Sequence, residues 1–341
     1  MIAERLTASI LGQALGDALG FVVEAEPPGV ARAYVDDWLR TGRAGERSHP
    51  QYPFGQYSDD TQLARELLRS FLQARGWDPP VFAALIAELF RERREVGAGR
   101  GTRTAALRLL EGVPWQKSGT PAPYAGNGAA MRAGPLGLLL PDVSAMCRAA
   151  EDQARITHLD PRCAAGAAVI GRAVALAAQP KPLDSRDFID DLVVCASITD
   201  SSVAEAVRGL AEWVTLAPME AARHVHASGL DPTQSQKWQG ISAFVTPSVL
   251  WSLYAYFRSP DDYWETICTA ISVGGDTDTM AAMAGAISGA RLGTDALPQE
   301  LVARVNDRGE WGAQALLELA MSCSEVVTRS IAPRPPLAGQ T

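Results

Sequence analysis

Apolar residues along the chain recur mostly three and four positions apart. Ile2, Leu6 and Ile10 form one such series, Leu63, Leu67 and Phe71 a second, Phe82, Ile86 and Leu89 a third, and an Ala-rich run covers 164–178. That is the period of a helix with one buried face, and the period-two alternation of strands is nearly absent. The best strand candidate, Leu192–Ala196, reads equally well as the end of a helix. Gly and Pro punctuation at 27–29, 53–55, 79–80, 112–123, 180–182, 232 and 259–260 marks off roughly a dozen helices. The expected fold is all-α. No low-complexity linker divides the chain, so a single compact multi-helix domain is expected over 1–330, with a Pro-rich tail at 331–341 expected to be disordered. The stretch 27–56 has the least helical pattern and is expected to be a loop covering a site. Gly12, Gly16 and Gly20, and again Ala281, Gly285 and Gly289, place small residues at every fourth position. On a helix such a strip admits close approach of another helix, and tight core packing is the plain account of it.

Composition changes the picture mainly by exclusion. The 341 residues carry 31 Lys and Arg against 39 Asp and Glu, a formal charge of -8 spread over the whole length. Binding nucleic acid through bulk charge needs a basic face, so that class is disfavoured. The five cysteines, at 147, 163, 195, 268 and 323, form no C-x-x-C pair and lie in apolar, Ala-rich contexts. A disulfide framework or a zinc site is therefore not expected, and a reducing compartment is. Glu4, Arg5 and Asp17 interrupt the apolar N-terminal run, so neither signal peptide nor membrane span is expected. The expectation is a cytoplasmic protein, monomeric by default.

Chemistry is concentrated in a few segments. Tyr57-Ser58-Asp59-Asp60-Thr61-Gln62 directly precedes the helical run from Leu63. Ser and Asp are good N-cap residues, and the positive end of a helix favours carboxylates. Capping needs only one of them, and two buried like charges raise each other's pKa unless a cation lies between. Val273-Gly274-Gly275-Asp276-Thr277-Asp278-Thr279 heads a second helix, Met280–Ala290, with two glycines that permit a tight turn. Together these segments offer four carboxylates and at least two hydroxyls, a donor set that suits Mg²⁺ or Mn²⁺ rather than zinc. Two unrelated capped helices remain the bland alternative. In Tyr124-Ala125-Gly126-Asn127-Gly128-Ala129-Ala130-Met131-Arg132, a Gly-Asn-Gly turn before a helix would present backbone amides to an anion, though a plain turn serves as well. Glu24 reads by default as a surface residue. His158, beside a turn, reads as a structural histidine partnered by Asp160 or a carbonyl. His224 and His226 look incidental, and Arg91, Arg93 and Arg94 with Glu92 and Glu95 read as a solvated helix face.

Five segments in this order resemble the ADP-ribosylglycohydrolase family: GDALGFVVE at 16–24, YSDDTQLA at 57–64, GNGAAMRAGPLGL at 126–138, THLDPRC at 157–163 and VGGDTDTMAAMAGAISGA at 273–290. The resemblance runs from about residue 8 to residue 292. It implies an all-α fold with a binuclear Mg²⁺ site, Mn²⁺ being the alternative, in a cleft. By position it implies Ser58, Asp59, Asp60, Asp276, Asp278 and Thr279 as metal ligands, with Glu24 the acidic residue of a lid segment. It implies that Gly126, Asn127, Gly128, Ala129 and Met131 cradle a diphosphate and distal ribose, with His158 and the Gly274-Gly275 backbone lining the same pocket. Tyr124 and Trp115 are candidates for stacking on adenine. Asp59, Asp60 and Glu24 are the implied catalytic carboxylates, and Asp59 or Asp60 the base. Phe21-Val22 stands where many members have a small residue and Pro, and Ala129 where some have Ser. The implied activity is hydrolysis of the bond between ADP-ribose and an acceptor on a protein or small molecule, arginine first. Ser-linked, poly- or O-acetyl-ADP-ribose and a non-catalytic ADP-ribose binder are the alternatives. Outside the family, an all-α Mg²⁺-dependent nucleotide pyrophosphatase would fit the donor set but usually shows paired Glu at helical spacing.

Overall fold

The computed structural model describes residues 2–229 and 239–331. It is 69% helical, and the described residues form isolated β-bridges but no sheet. Thirteen described helices have ten or more residues: α1 Ile2–Gly20, α2 Asp59–Ala74, α3 Pro79–Arg91, α4 Arg100–Leu110, α5 Val143–Thr157, α6 Pro161–Ala177, α7 Ser185–Ser197, α8 Ser201–Trp213, α9 Pro218–Ala227, α10 Val245–Arg258, α11 Tyr263–Ser272, α12 Thr277–Leu292 and α13 Ala313–Ile331. Leu192–Ala196 lies inside α7. The tail beyond 331 and the punctuation at 232 lie outside the described residues.

The frame is the pair α1 and α12. Both are apolar on all sides and buried along almost their whole length, as expected of helices at the centre of a fold. Their small-residue strips face each other. A Cβ added at Gly16 would lie 2.2 Å from the Ala281 carbonyl oxygen, one at Gly12 2.5 Å from that of Gly285, and one at Gly289 2.2 Å from that of Ala8. No side chain fits, so the two backbones touch. Ser9 Oγ donates to the Ala286 carbonyl at 2.9 Å and Thr277 Oγ1 to the Gly20 carbonyl at 2.8 Å, which pins the register. Leu6, Ile10, Leu15 and Leu19 fill the surrounding core, each contributing about 2 kcal/mol by burial. The 18-residue apolar window in Ile2–Val23 is long enough to cross a bilayer by composition, and nearly all of it is buried inside the fold.

Two expectations, one of a loop and one of a helix face, are corrected. Residues 27–56 contain a helix at Pro28–Tyr34, continued by a π-helical turn at Val35–Leu39. Pro at the first helical position and an apolar face at Ala31, Tyr34 and Val35 account for it. Arg91 ends α3, so Arg93 and Arg94 stand on the following turn, where Arg94 pairs with Glu310 and the Arg93 carbonyl accepts from Arg308.

Candidate active site

Four elements meet at one end of the α1–α12 pair. Asp17 is on the last turn of α1, and Glu24 follows a short 3₁₀ turn, Phe21–Val23. Ser58, Asp59 and Asp60 open α2, and Asp276, Asp278 and Thr279 open α12. Ser58 is the N-cap of α2: its hydroxyl accepts from the Asp60 amide at 3.3 Å and donates to Asp60 Oδ2 at 2.8 Å. Asp276 stands at the N-cap position of α12 without a side-chain capping bond, after Gly274 and Gly275, both at positive φ (71° and 86°), where side chains are strained and a Cβ would strike Glu26 and Ile241 backbone atoms.

The carboxylates converge. Asp17, Asp60 and Asp278 each bring an oxygen within 4.8 Å of the others, and so do Glu24, Asp276 and Asp278, with Asp278 common to both groups. Burial, then mutual repulsion, pushes Asp59, Asp60 and Asp278 well above the usual carboxylate range. Burial raises Asp17 and Asp276 to about 6, and burial with the charges of Asp276 and Asp17 raises Glu24 to about 7. Asp60 Oδ1 and Asp278 Oδ1 are buried with no hydrogen-bond partner. Acid groups so crowded, with orphaned oxygens aimed at one another, fit a hard divalent cation. These clusters can hold metal ions.

Asp17 is the residue that sequence reasoning missed as part of the site. Its carboxylate accepts from the Ser58 amide (2.8 Å), the Thr61 amide (3.0 Å) and Thr61 Oγ1 (2.6 Å), so it caps α2 from a neighbouring helix. The signal was available: a lone carboxylate in the strip Gly16-Asp17-Ala18-Leu19-Gly20 has to be buried with the strip.

A cavity of about 300 Å³ runs from these carboxylates to residues 126–131. Glu24, Asp59, Asp60, Asp276, Asp278 and Thr279 line one end; Gly126, Asn127, Gly128, Met131, Tyr124 and His158 line the other. The turn at Gly97–Gly99 and the first turn of α4, with Arg100, Gly101 and Thr102, wall one side and were not anticipated from the sequence. Several expected placements are corrected. Residues 127–129 form a 3₁₀ turn rather than the start of an α-helix. The Asn127 side chain donates to Asp276 and to Ser248 Oγ, so it braces the acidic end. Ala129 is behind the wall, its carbonyl accepting from Gln153 at 2.8 Å. Ser58 is fully buried outside the lining, and Gly274 and Gly275 are held between 25–26 and 241 by backbone bonds. His158 contacts Thr157 rather than Asp160, which pairs with Arg162. Its ring stacks on Tyr124 with centroids 5.9 Å apart, and burial beside Arg132 lowers its pKa to about 3. Trp115 does not line the cavity, and His224 stacks on Trp213 away from it.

An all-helical frame with hard-oxygen clusters at paired helix starts, opening on a glycine-walled pocket, defines a class of α-helical protein whose site could hold metal ions beside a ligand cavity. The family model for ADP-ribosylglycohydrolase matches residues 1–332, and the chain belongs to that family. It is 30% identical over 322 residues to the ADP-ribosyl-[dinitrogen reductase] glycohydrolase of Rhodospirillum rubrum, covering 91% of this chain and 92% of that one. It is 29% identical over 325 residues to the ADP-ribosylhydrolase ARH3 of Homo sapiens, covering 86% and 87%. A solved structure titled ADP-ribosylglycohydrolase-related protein complex superposes with a TM-score of 0.70 at 25% identity, covering 96% of this chain and 99% of that one. The chain is an ADP-ribosylglycohydrolase by family, an enzyme class that cleaves ADP-ribose linkages. That membership sets the nucleotide pyrophosphatase aside.

Proposed function

We propose that this enzyme hydrolyses the bond between C1 of the distal ribose of ADP-ribose and an acceptor side chain, ADP-ribosyl-arginine first, and so reverses mono-ADP-ribosylation. The observation that carries the reading is the two-ended cavity: carboxylates at one end and a glycine-walled cradle, with Arg100 in its lining, at the other. Two Mg²⁺ ions, with Mn²⁺ the alternative, would be held by Glu24, Asp60, Asp276 and Asp278, with the Thr279 and Ser58 hydroxyls adjoining. Bound there, they would supply charge stabilisation and orient hydroxyl oxygens of the substrate.

The protein's own groups divide the remaining work. Asp60 Oδ2 already accepts from Ser58 and from Thr279 Oγ1 (3.3 Å), and its other oxygen belongs to the acidic cluster. Asp59 faces the cavity outside both clusters, which supports it as the base. It takes a proton from water as the water oxygen bonds to C1; the C1–acceptor bond breaks, its electron pair leaves with the acceptor, and the acceptor gains a proton. A guanidinium fits the acidic end because its positive charge offsets the carboxylates beside it. Five free, buried cysteines support a cytoplasmic, reducing setting, and a monomer is the working assignment.

The test measures free ADP-ribose released from arginine-linked and serine-linked ADP-ribosylated protein, with Mg²⁺ and with EDTA, using Asp59→Asn as control. Metal-dependent release from the arginine linkage supports the proposal. Release from serine alone reassigns the acceptor, and binding of ADP-ribose with no release from either points to a non-catalytic relative.

A further inference from the structure

The glycine-walled end of the cavity is organised by a side chain that does not reach it. Arg132 is fully buried. Its Nε donates to Gln153 Oε1 at 2.6 Å, and its Nη2 donates to the Gln153 carbonyl and to Thr157 Oγ1, both at 2.8 Å. Thr157 Oγ1 in turn lies 2.8 Å from His158 Nδ1. The direction of each contact follows from elementary chemistry. A guanidinium has only donors, so the Thr157 oxygen accepts from it; His158 Nδ1 is the one acceptor within reach of the hydroxyl among the described contacts, and the hydroxyl hydrogen would be buried without a partner unless it points there. Nδ1 is then the acceptor, and a neutral imidazole carries its one hydrogen on Nε2. Nε2 is the atom against the cavity wall: a Cβ at Gly101 or Gly126 would lie 2.7 or 3.0 Å from it, so the glycines keep it uncovered.

We propose that Arg132 and Thr157 are positioning residues that lock His158 in the tautomer with hydrogen on Nε2, presenting a neutral donor to an anionic oxygen of the bound diphosphate. An unrestrained imidazole divides itself between two tautomers, one of which would turn a lone pair toward the anion. The same arginine sets the rest of the cradle, because Gln153, held by two of its bonds, donates through Nε2 to the Ala129 carbonyl on the 126–132 turn. A planar fork is required to reach Gln153 Oε1, its carbonyl and Thr157 together, which lysine cannot do.

The tautomer half stands without reference to any ligand; the ligand half rests on the proposed function. Both are tested on the intact chain. The chain has four histidines, at 49, 158, 224 and 226, so the side-chain nitrogens are resolvable by long-range proton–nitrogen NMR, with His158→Gln identifying the signal. Wild type is expected to show hydrogen on Nε2 of His158. Thr157→Val, of the same shape but without the hydroxyl, is expected to show a tautomer mixture and about tenfold weaker ADP-ribose binding by calorimetry. In turnover KM rises about tenfold and kcat stays within about twofold. Thr157→Ser restores both readouts, whereas Arg132→Lys restores neither. Hydrogen on Nδ1 in wild type, or a Thr157→Val variant with wild-type tautomer and affinity, overturns the proposal. The expected tautomer in a wild-type chain that fails to bind ADP-ribose overturns the proposed function and the ligand half, and leaves the tautomer half standing.

Discussion

The two ends of the cavity are built on opposite principles. At the acidic end, carboxylates from α1, α2, α12 and the turn after α1 are crowded together against their electrostatic preference, and two of their oxygens have no partner. At the other end, His158 is held by a hydrogen bond to Thr157, itself bonded to Arg132, and the surface offered to a ligand combines glycine backbone, the His158 and Tyr124 rings and the Arg100 side chain. The acidic end is crowded with like charge and could be made whole by a cation. The glycine-walled end offers an anion backbone amides, the His158 ring and the positive charge of Arg100. A ligand carrying diphosphate at one end and a sugar with vicinal hydroxyls at the other matches both.

The sharpest way to break this contrast is Asp59→Asn. Turnover is expected to fall by about 10³-fold, within the range for loss of a positioned base. The melting temperature should hold or rise, because the variant removes one charge from a repulsive cluster; a wild-type rate in the presence of metal would unseat Asp59. Gly16→Val acts on the frame instead. Its Cβ alone would lie 2.2 Å from a backbone oxygen, so a loss of about 3 kcal/mol or more is expected, measurable by urea unfolding. An unchanged midpoint would show that the helix pair is not what carries the acidic end.

Cation removal sharpens the comparison through pH. Asp17, Asp276 and Glu24 have folded pKa values of about 6, 6 and 7, above their ordinary 3.8, 3.8 and 4.5. Between the ordinary and raised values the metal-free folded state binds more protons than the unfolded one, so their contribution is present below about pH 4 and is lost as pH rises toward 7. Divalent cation reverses that loss. At ~100 times the dissociation constant it should add about 2.7 kcal/mol at neutral pH, a rise of roughly 4 °C in a thermal melt, and much less at pH 4.5. A cation shift of equal size at both pH values would contradict this account. The smallest expected effect belongs to the glycine-walled end: Gly128→Ala sets a Cβ 2.9 Å from His158 Cε1 and from Thr102 Oγ1. It should raise KM about tenfold at nearly constant kcat, and an equal loss in kcat would move the residue into the chemistry.

The helices and the acidic starts of α2 and α12 were legible because hydrophobic period and N-cap chemistry are local. So were the two small-residue strips, although only the structure pairs them with each other. Glu24, read alone as a surface residue, is drawn into the cluster because Ala25 donates to the Gly275 carbonyl and the Glu26 carbonyl accepts from Gly275. Asp17, Asn127 and the Gly97–Thr102 wall were not legible in their roles. Each acts across the fold on residues distant in the chain, and spacing records nothing about which helix start a carboxylate from another helix will cap. Residues 27–39 were misread because their helical pattern is brief and opens with Pro27-Pro28-Gly29, which reads as a turn.

The backbone contact between α1 and α12 also has a consequence for synthesis. At about 5–20 residues per second, α12 leaves the ribosome well after α1, roughly 250 residues later. Throughout that interval α1, apolar on every side and long enough to resemble a membrane segment, has no partner for its glycine strip. The nascent chain therefore carries an apolar helix without its packing partner until α12 is made, and the carboxylate cluster comes into existence only then.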